Sequence, residues 1–129
     1  MVPPVLGILV THASLGTELL RTAESILGRQ SRVEVVSNSG SSTERLSEKL
    51  RDLISQRPEE PIFLLVDLLG GSCSHACQEI LQAHPSTVVF SGVNLPMLLE
   101  FLYYRGRVDV DELRRRLVAK GRDGIQCFP

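Results

Sequence analysis

The sequence has no surplus of charge of either sign. Fourteen basic and fifteen acidic side chains give a formal net charge of −1. Proteins that bind nucleic acid or anionic membranes typically carry an excess of basic residues, so this balance supports neither partner. No apolar run approaches the roughly 20 residues of a membrane-spanning helix, and we expect no direct insertion into a membrane.

Signals for export are also missing. The segment Met1–Pro4 lacks the basic region and the small-residue cleavage site of a signal peptide. Three cysteines, Cys73, Cys77 and Cys127, are odd in number and show no pattern of a disulfide framework. Both observations predict a cytoplasmic protein, because thiols stay reduced in that compartment.

The chain does contain a regular alternation of strand-like and helix-like segments. Two continuous apolar runs, Val5–Val10 and Ile62–Val66, are typical of parallel strands covered on both faces. Shorter strands are predicted at Val33–Val36 and Val88–Phe90. The 129 residues suit one domain. We therefore expect a single α/β domain over residues 1–129, a three-layer sandwich around a mainly parallel, doubly wound sheet.

Helices are predicted between the strands, where apolar residues recur at helical spacing. In chain order, the first helix ends at Gly28 and the second ends before Pro58. The third opens at Gly70–Ser72 and reaches about Leu81, and the fourth carries Leu95–Leu102. The last carries Val110–Leu117 and is followed by a turn bracketed by Gly121 and Gly124 and by a short last strand over Ile125–Phe128.

Polar residues follow each predicted strand. In folds of this class, ligands bind at the carboxyl ends of the strands, and that edge is where we expect the functional site. The residues concerned are Thr11-His12, Ser37–Gly40, Asp67 with Gly70–Ser72, and Ser91–Asn94.

His12 and Asp67 end two strands that we expect to be neighbours. An isolated histidine at this position could simply cap or pack beside the first helix. A nearby carboxylate favours a chemical role. By accepting a hydrogen bond from one ring nitrogen it fixes the tautomer and leaves the other nitrogen as a nucleophile.

The segment Gly70-Gly71-Ser72 predicts an anion site. Glycines let the backbone approach a ligand closely, and a helix N-terminus presents free N–H groups. The alternative is a plain Gly-Gly turn with Ser72 as the helix cap. Neither a Walker lysine nor a Gly-x-Gly-x-x-Gly pattern is present, so a nucleotide site has no support. With His12 and Asp67, the segment predicts a phosphoryl group carried on His12.

A metal site is not expected. Cys73 and Cys77 share a helical face, but His75 between them points elsewhere, and no other Cys–His pair completes a tetrahedral set. Cys73 is either a reactive thiol with a lowered pKa at a helix N-terminus or an inert small residue. No cofactor is predicted.

Four motifs occur in order along almost the whole chain, from Gly7 to Gly124. In this order they are similar to the enzyme IIA component of the mannose family of the bacterial phosphotransferase system. The motifs are Thr11-His12, Leu15-Gly16 with Leu19–Glu24, Val66–Ser72, and Gly92–Glu100.

The resemblance implies a phosphotransferase component with a phosphohistidine intermediate. His12 would accept the phosphoryl group of phospho-HPr and pass it to an enzyme IIB, and Asp67 would orient its ring. The phosphoryl oxygens would contact Ser72 and the amides of Gly70, Gly71 and Ala13. The family fold is a homodimer in which the C-terminal strand packs onto the partner's sheet.

The sequence departs from the family pattern at three positions in or near these motifs. Ala13 stands where the family usually has glycine, Cys73 where it usually has proline, and His75 where it usually has asparagine. A different class of function stays open: a regulatory binding module that controls a kinase or a transcription activator. Gly70–Ser72 and Asn94–Met97 argue against a third reading, the phosphocarrier subunit of dihydroxyacetone kinase. The sugar served is not specified by the sequence.

Overall fold

The computed structural model describes residues 3–129. Within them, four strands form a parallel sheet: β1 (Leu6–Thr11), β2 (Val33–Ser37), β3 (Ile62–Val66) and β4 (Thr87–Phe90). Their register places β1 between β2 and β3. The order across the sheet is β2-β1-β3-β4.

Helices cover both faces of this sheet. They are α1 (Leu15–Leu27), α2 (Thr43–Ser55), α3 (Ser72–Ala83), α4 (Leu95–Tyr104) and α5 (Val110–Asp123). Residues of α2 and α3 share one buried cluster with the sheet, and residues of α1, α4 and α5 share the other. This arrangement confirms the predicted three-layer α/β sandwich.

Strand β1 is continuously apolar because both of its faces are buried. Ile8 and Val10 pack into the cluster of α2 and α3, whereas Leu9 packs into the opposite cluster. Each such side chain contributes about 1.5–3 kcal/mol when fully buried. Gly7 makes room for α4, because a Cβ there would lie 2.5 Å from the ring of Phe101. The central strand is therefore held from both sides and provides a rigid base for the loop that follows it.

The helix starts differ in their capping. Side chains of Ser42, Asn94 and Asp109 cap α2, α4 and α5 by accepting a backbone N–H of the first turn. The N-cap residue of α3 is Gly71, which has no side chain to do so. The first N–H groups of α3 are therefore available to another acceptor.

The C-terminal part differs from the sequence-based expectation. Gly121 lies inside α5 and not in a turn, and it packs closely against α4: an added Cβ would lie 3.0 Å from Cε of Met97. The Asn94 side-chain amide also donates to the Gly121 carbonyl, at 2.9 Å. Within the described chain, Ile125–Phe128 forms no strand, and β4 pairs with β3 on one side only, so its other side is a free edge of the sheet.

Over residues 3–129, none of the helices has both the length and the apolar character that crossing a bilayer requires.

Candidate functional site

His12 and Asp67 meet at the carboxyl edge of the two central strands. The pairing of Val10 with Val66 places the ends of β1 and β3 side by side, as expected from the sequence. The Asp67 carboxylate accepts the backbone N–H of His12 at 3.0 Å. It also lies 3.1 Å and 3.2 Å, through its two oxygens, from Nδ1 of the His12 ring. One carboxylate thus holds both the main chain and the ring of this histidine.

This contact selects one form of the ring. An ionised carboxylate only accepts hydrogen bonds, so the Nδ1 that faces it carries the proton in the neutral ring. The lone pair then resides on Nε2. The side chain of His12 is 40% exposed while that of Asp67 is only 10% exposed. The orienting group is therefore mostly covered, and the ring that it orients remains accessible to a reactant.

The Cε1–Nε2 edge of the ring lies against Gly71, immediately before α3. A Cβ added to Gly71 would be 3.2 Å from Cε1 and 3.4 Å from Nε2 of His12. Gly71 thus leaves space for the ring, whereas Gly70 has a φ of +91°, the left-handed region that favours glycine. Because Gly71 is the N-cap residue, the alternative in which Ser72 caps the helix is wrong. Nε2 faces an uncapped helix N-terminus, which is suited to an anion.

The loop after β2 braces the loop that carries His12. Ala13 donates its N–H to the Asn38 side-chain oxygen at 3.2 Å, and the Ser37 hydroxyl donates to the Ala13 carbonyl at 2.7 Å. Ala13 has a φ of +49°, which costs an L-residue roughly 1–2 kcal/mol. Its N–H is thus engaged by Asn38, and the contact to a phosphoryl oxygen stays a prediction.

Thr11 and Asn38 were not assigned a role from the sequence. Thr11 is fully buried, and its hydroxyl oxygen accepts the N–H of Gly16 at 2.7 Å, which ties the His12 loop to the start of α1. The available signals were a polar residue ending an apolar strand and a polar loop after β2. They indicate a position near the site but not the partner of each side chain.

Cys73 also belongs to the site, which the sequence did not indicate. Its sulfur lies 3.9 Å from Nδ1 of His12, and its side chain is fully buried. Burial, and then the charge of Asp67, raise the pKa of the Cys73 thiol, so the interpretation as a low-pKa reactive thiol is wrong. Burial likewise raises the pKa of Cys77 to about 12.

His75 lies on the exposed side of α3. Its ring pairs with Glu79, one helical turn further on, at 3.3 Å. Among the described residues, no hydrogen bond or ion pair joins it to His12. The second histidine that the sequence places after the Gly-Gly segment therefore takes no part in holding the first.

Fold and site together define an α/β protein in which a carboxylate orients a histidine beside an uncapped helix N-terminus. The chain belongs to the family described as "PTS system fructose IIA component", whose model matches residues 7–118. It is thus an enzyme IIA member of the sugar phosphotransferase system, as the motifs predicted.

Individual relatives agree with this assignment. The chain is 35% identical over 121 residues to the "PTS system mannose-specific EIIAB component" of Escherichia coli (strain K12), which covers 92% of this chain. It spans only 38% of the length of that relative. The "PTS system fructose-specific EIIA component" of Bacillus subtilis is 27% identical over 117 residues, 89% of this chain and 80% of the relative.

A solved structure shows the same fold. The phosphotransferase system component EIIA from Streptococcus agalactiae superimposes with a TM-score of 0.87 at 27% identity. The match covers 95% of this chain and 96% of that one. The mannose/sorbose-specific IIA subunit from Enterococcus faecalis, at 22% identity and a TM-score of 0.85, shares the fold.

Proposed function

We propose that this chain is a phosphocarrier of sugar uptake. His12 takes a phosphoryl group from the phosphohistidine of HPr and passes it to an enzyme IIB. The observation that carries the proposal is the double contact of Asp67 with the backbone and Nδ1 of His12, which leaves Nε2 free beside the start of α3. Membership of the enzyme IIA family supports HPr and enzyme IIB as the partners.

The transfer exchanges one phosphorus–nitrogen bond for another. The Nε2 lone pair of His12 attacks phosphorus, the bond to the HPr histidine breaks, and that ring leaves with the electron pair. The His12 ring then carries a phosphoryl group on Nε2 and a proton on Nδ1, and so gains a positive charge. Asp67 faces Nδ1 and stabilises this charge. Its contact with the His12 backbone N–H helps to fix the geometry on which phosphoryl transfer depends.

The start of α3 is suited to the phosphoryl oxygens. We infer that the amides of Gly70, Gly71 and the first helical turn, with the Ser72 hydroxyl, donate to them. The helix dipole contributes in the same direction, typically about 0.3–1 kcal/mol for a charge at a helix end. Ala13 joins this set once its N–H leaves Asn38, at a cost of one exposed hydrogen bond.

The direct experiment incubates the chain with phosphoenolpyruvate, enzyme I and HPr and measures its intact mass. We expect one added phosphoryl group, which acid treatment removes because phosphohistidine is acid-labile. A reaction without HPr serves as the control. An unchanged mass in the complete mixture would contradict the function. No observation on the described residues favours the regulatory module as a second function.

Gly71→Ala is expected to slow phosphoryl acceptance by about 10–100-fold, since displacements of the order of 1 Å at a reacting group have effects of this size. The new methyl group would press on Cε1 and Nε2 of His12, whereas a φ of −89° accommodates alanine without strain. The free energy of unfolding should change by less than about 1 kcal/mol. Gly106→Ala, whose Cβ meets only Pro4 at 3.8 Å, is the matched control. Equal rates for both variants would exclude this packing role.

We also propose a homodimer in which the tail of one copy pairs with β4 of the other. Ile125 and Phe128 are 77% and 87% exposed, and β4 borders a groove that combines apolar residues such as Val118 and Ala119 with charged ones. The charged residues of the groove are Asp111, Arg114, Arg115 and Arg122. A strand from a second copy would pair the open edge and cover the groove. Light scattering at micromolar concentration should give twice the chain mass, and Ile125→Asp should give the monomer. A monomeric unmodified chain would exclude the dimer.

A further inference from the structure

Three different metal-ligating atoms meet at His12. They are Nδ1 of His12, a carboxylate oxygen of Asp67 and Sγ of Cys73, and they all lie within 4.8 Å of one another. Each comes from a separate part of the fold: the loop after β1, the end of β3 and the start of α3. No spacing pattern in the sequence connects them. The expectation of no metal followed from the spacing of cysteines and histidines, which does not bring His12, Asp67 and Cys73 together.

The distances suit a tetrahedral zinc ion. Zinc binds nitrogen at about 2.0–2.1 Å, oxygen at about 2.0–2.2 Å and sulfur at about 2.3 Å. In a tetrahedron these bonds place nitrogen about 3.6 Å from sulfur and about 3.4 Å from oxygen. The corresponding separations from Nδ1 are 3.9 Å to Cys73 and 3.1 Å to Asp67. These two separations differ from the zinc values by a few tenths of an ångström, and the ligand atoms of Asp67 and Cys73 lie within 4.8 Å of each other.

The donor set also selects the metal. Mg²⁺ and Ca²⁺ bind oxygen almost exclusively, whereas a thiolate, an imidazole and a carboxylate together suit Zn²⁺. Two of the three ligands, Cys73 and Asp67, are buried or nearly so, and the ring of His12 is 40% exposed. Three protein ligands with a fourth position open to solvent is a common zinc arrangement.

We propose that His12, Asp67 and Cys73 bind one Zn²⁺ ion, and that this ion and a phosphoryl group exclude each other on the His12 ring. The mutual exclusion rests on the proposed phosphocarrier function. Zinc binding rests only on the positions of the three ligands.

The exclusion follows from the protons of the ring. To bind zinc, Nδ1 must offer its lone pair, so the ring proton moves through solvent to Nε2. Nε2 then has no lone pair with which to attack phosphorus. Cys73 binds as the thiolate and releases its proton to water. In the phosphorylated ring, conversely, Nδ1 is protonated and turned toward Asp67, and it has no lone pair for a metal. Each ligand therefore removes the electron pair that the other needs.

The binding test uses Co²⁺, a spectroscopic substitute for Zn²⁺. Because Cys127 is exposed and offers a second thiol, the titrations use the Cys127→Ser background. We expect one Co²⁺ per chain, with a thiolate-to-cobalt charge-transfer band that Zn²⁺ abolishes. Cys73→Ala and His12→Gln should each weaken Zn²⁺ binding at least about 100-fold. Loss of a group that only orients a metal ligand already weakens binding by up to about 100-fold, and loss of the ligand itself should cost at least as much.

Two control variants test alternative ligands. Cys77→Ala removes the neighbouring buried thiol, and His75→Gln removes the exposed ring paired with Glu79. Both should retain the Co²⁺ band and the Zn²⁺ affinity. Absence of the charge-transfer band, or Zn²⁺ affinity unchanged in His12→Gln, would overturn the site. Since His12 is partly exposed, that variant decides the question even if Cys73→Ala fails to fold.

The exclusion test uses purified phospho-HPr as donor, so that no other enzyme meets the metal. Zn²⁺ should block phosphoryl acceptance by the unmodified chain. The Cys73→Ala variant should accept the phosphoryl group at the same rate with and without Zn²⁺. The phosphorylated chain should give no charge-transfer band with Co²⁺. If the metal-free chain accepts no phosphoryl group, the proposed function fails while the binding result stands. If the zinc-loaded chain accepts it at the metal-free rate, the exclusion fails.

Discussion

His12→Gln is expected to reduce phosphorylation by phospho-HPr to the background level. Glutamine offers an amide at this position, and an amide nitrogen is not a nucleophile toward phosphorus. The other two histidines are placed differently. His75 pairs with Glu79 on the surface, and both ring nitrogens of His84 are engaged, by the Arg57 carbonyl at 3.1 Å and the Thr87 hydroxyl at 2.9 Å. Neither of these rings is therefore held by Asp67 at the ends of β1 and β3.

The substitution should leave the fold intact. The His12 side chain is 40% exposed, and the backbone N–H of this residue still donates to Asp67 in the variant. Loss of one ring hydrogen bond typically costs about 1 kcal/mol. Intact mass after incubation gives the phosphorylation, and thermal melting gives the stability. His75→Gln is the matched control and should accept one phosphoryl group. An acid-labile phosphoryl group on His12→Gln would refute the assignment of His12.

Asp67→Asn is expected to slow phosphoryl acceptance by about 10²–10⁴-fold, the usual contribution of an oriented acid–base or nucleophile partner. Asparagine has nearly the same shape and one oxygen, which can still accept the backbone N–H of His12. Its amide group then faces Nδ1 and donates to it. The ring proton moves to Nε2, and the lone pair that attacks phosphorus is lost. The variant also loses the negative charge that stabilises the phosphorylated ring.

The measurement separates this positioning role from a structural one. Nitrogen-15 NMR of the ring should show the Nδ1–H tautomer in the unmodified chain and a shift toward Nε2–H in Asp67→Asn. Asp109→Asn removes an equal charge at the start of α5, where asparagine is an equally good cap, and should leave rate and tautomer unchanged. If Asp67→Asn melts normally and accepts phosphate at the unmodified rate, Asp67 does not orient His12.

The position of the candidate site was predicted from the polar residues that end the apolar segments. His12 and Asp67 each follow a continuously apolar segment, and such segments become adjacent central strands because only those are covered on both faces. The Gly70-Gly71-Ser72 segment precedes a helix, so its amides had to lie at the same edge. These inferences needed only local pattern and the geometry of parallel sheets. The structure confirms the adjacency of β1 and β3, and the roles of the residues remain predictions.

The residues that surround His12 depended on tertiary packing. Cys73 comes within 3.9 Å of the ring because the path from β3 into α3 turns its side chain inward, whereas His75, two residues later, points to solvent. The bond from Asn38 to Ala13 depends on β2 being the neighbour of β1. Such contacts join residues far apart in the chain, and neither spacing nor composition records them.

Local pattern alone therefore predicted the class of fold, the sheet edge of the candidate site and the histidine at its centre. Tertiary structure decided which side chains touch that histidine. It also decided that Gly121 continues a helix, where it packs closely against Met97 of α4. The physical reason is the range of the interactions involved. Hydrophobic periodicity and helix starts are encoded within a few residues, whereas hydrogen bonds and close contacts depend on which elements the folded chain brings together.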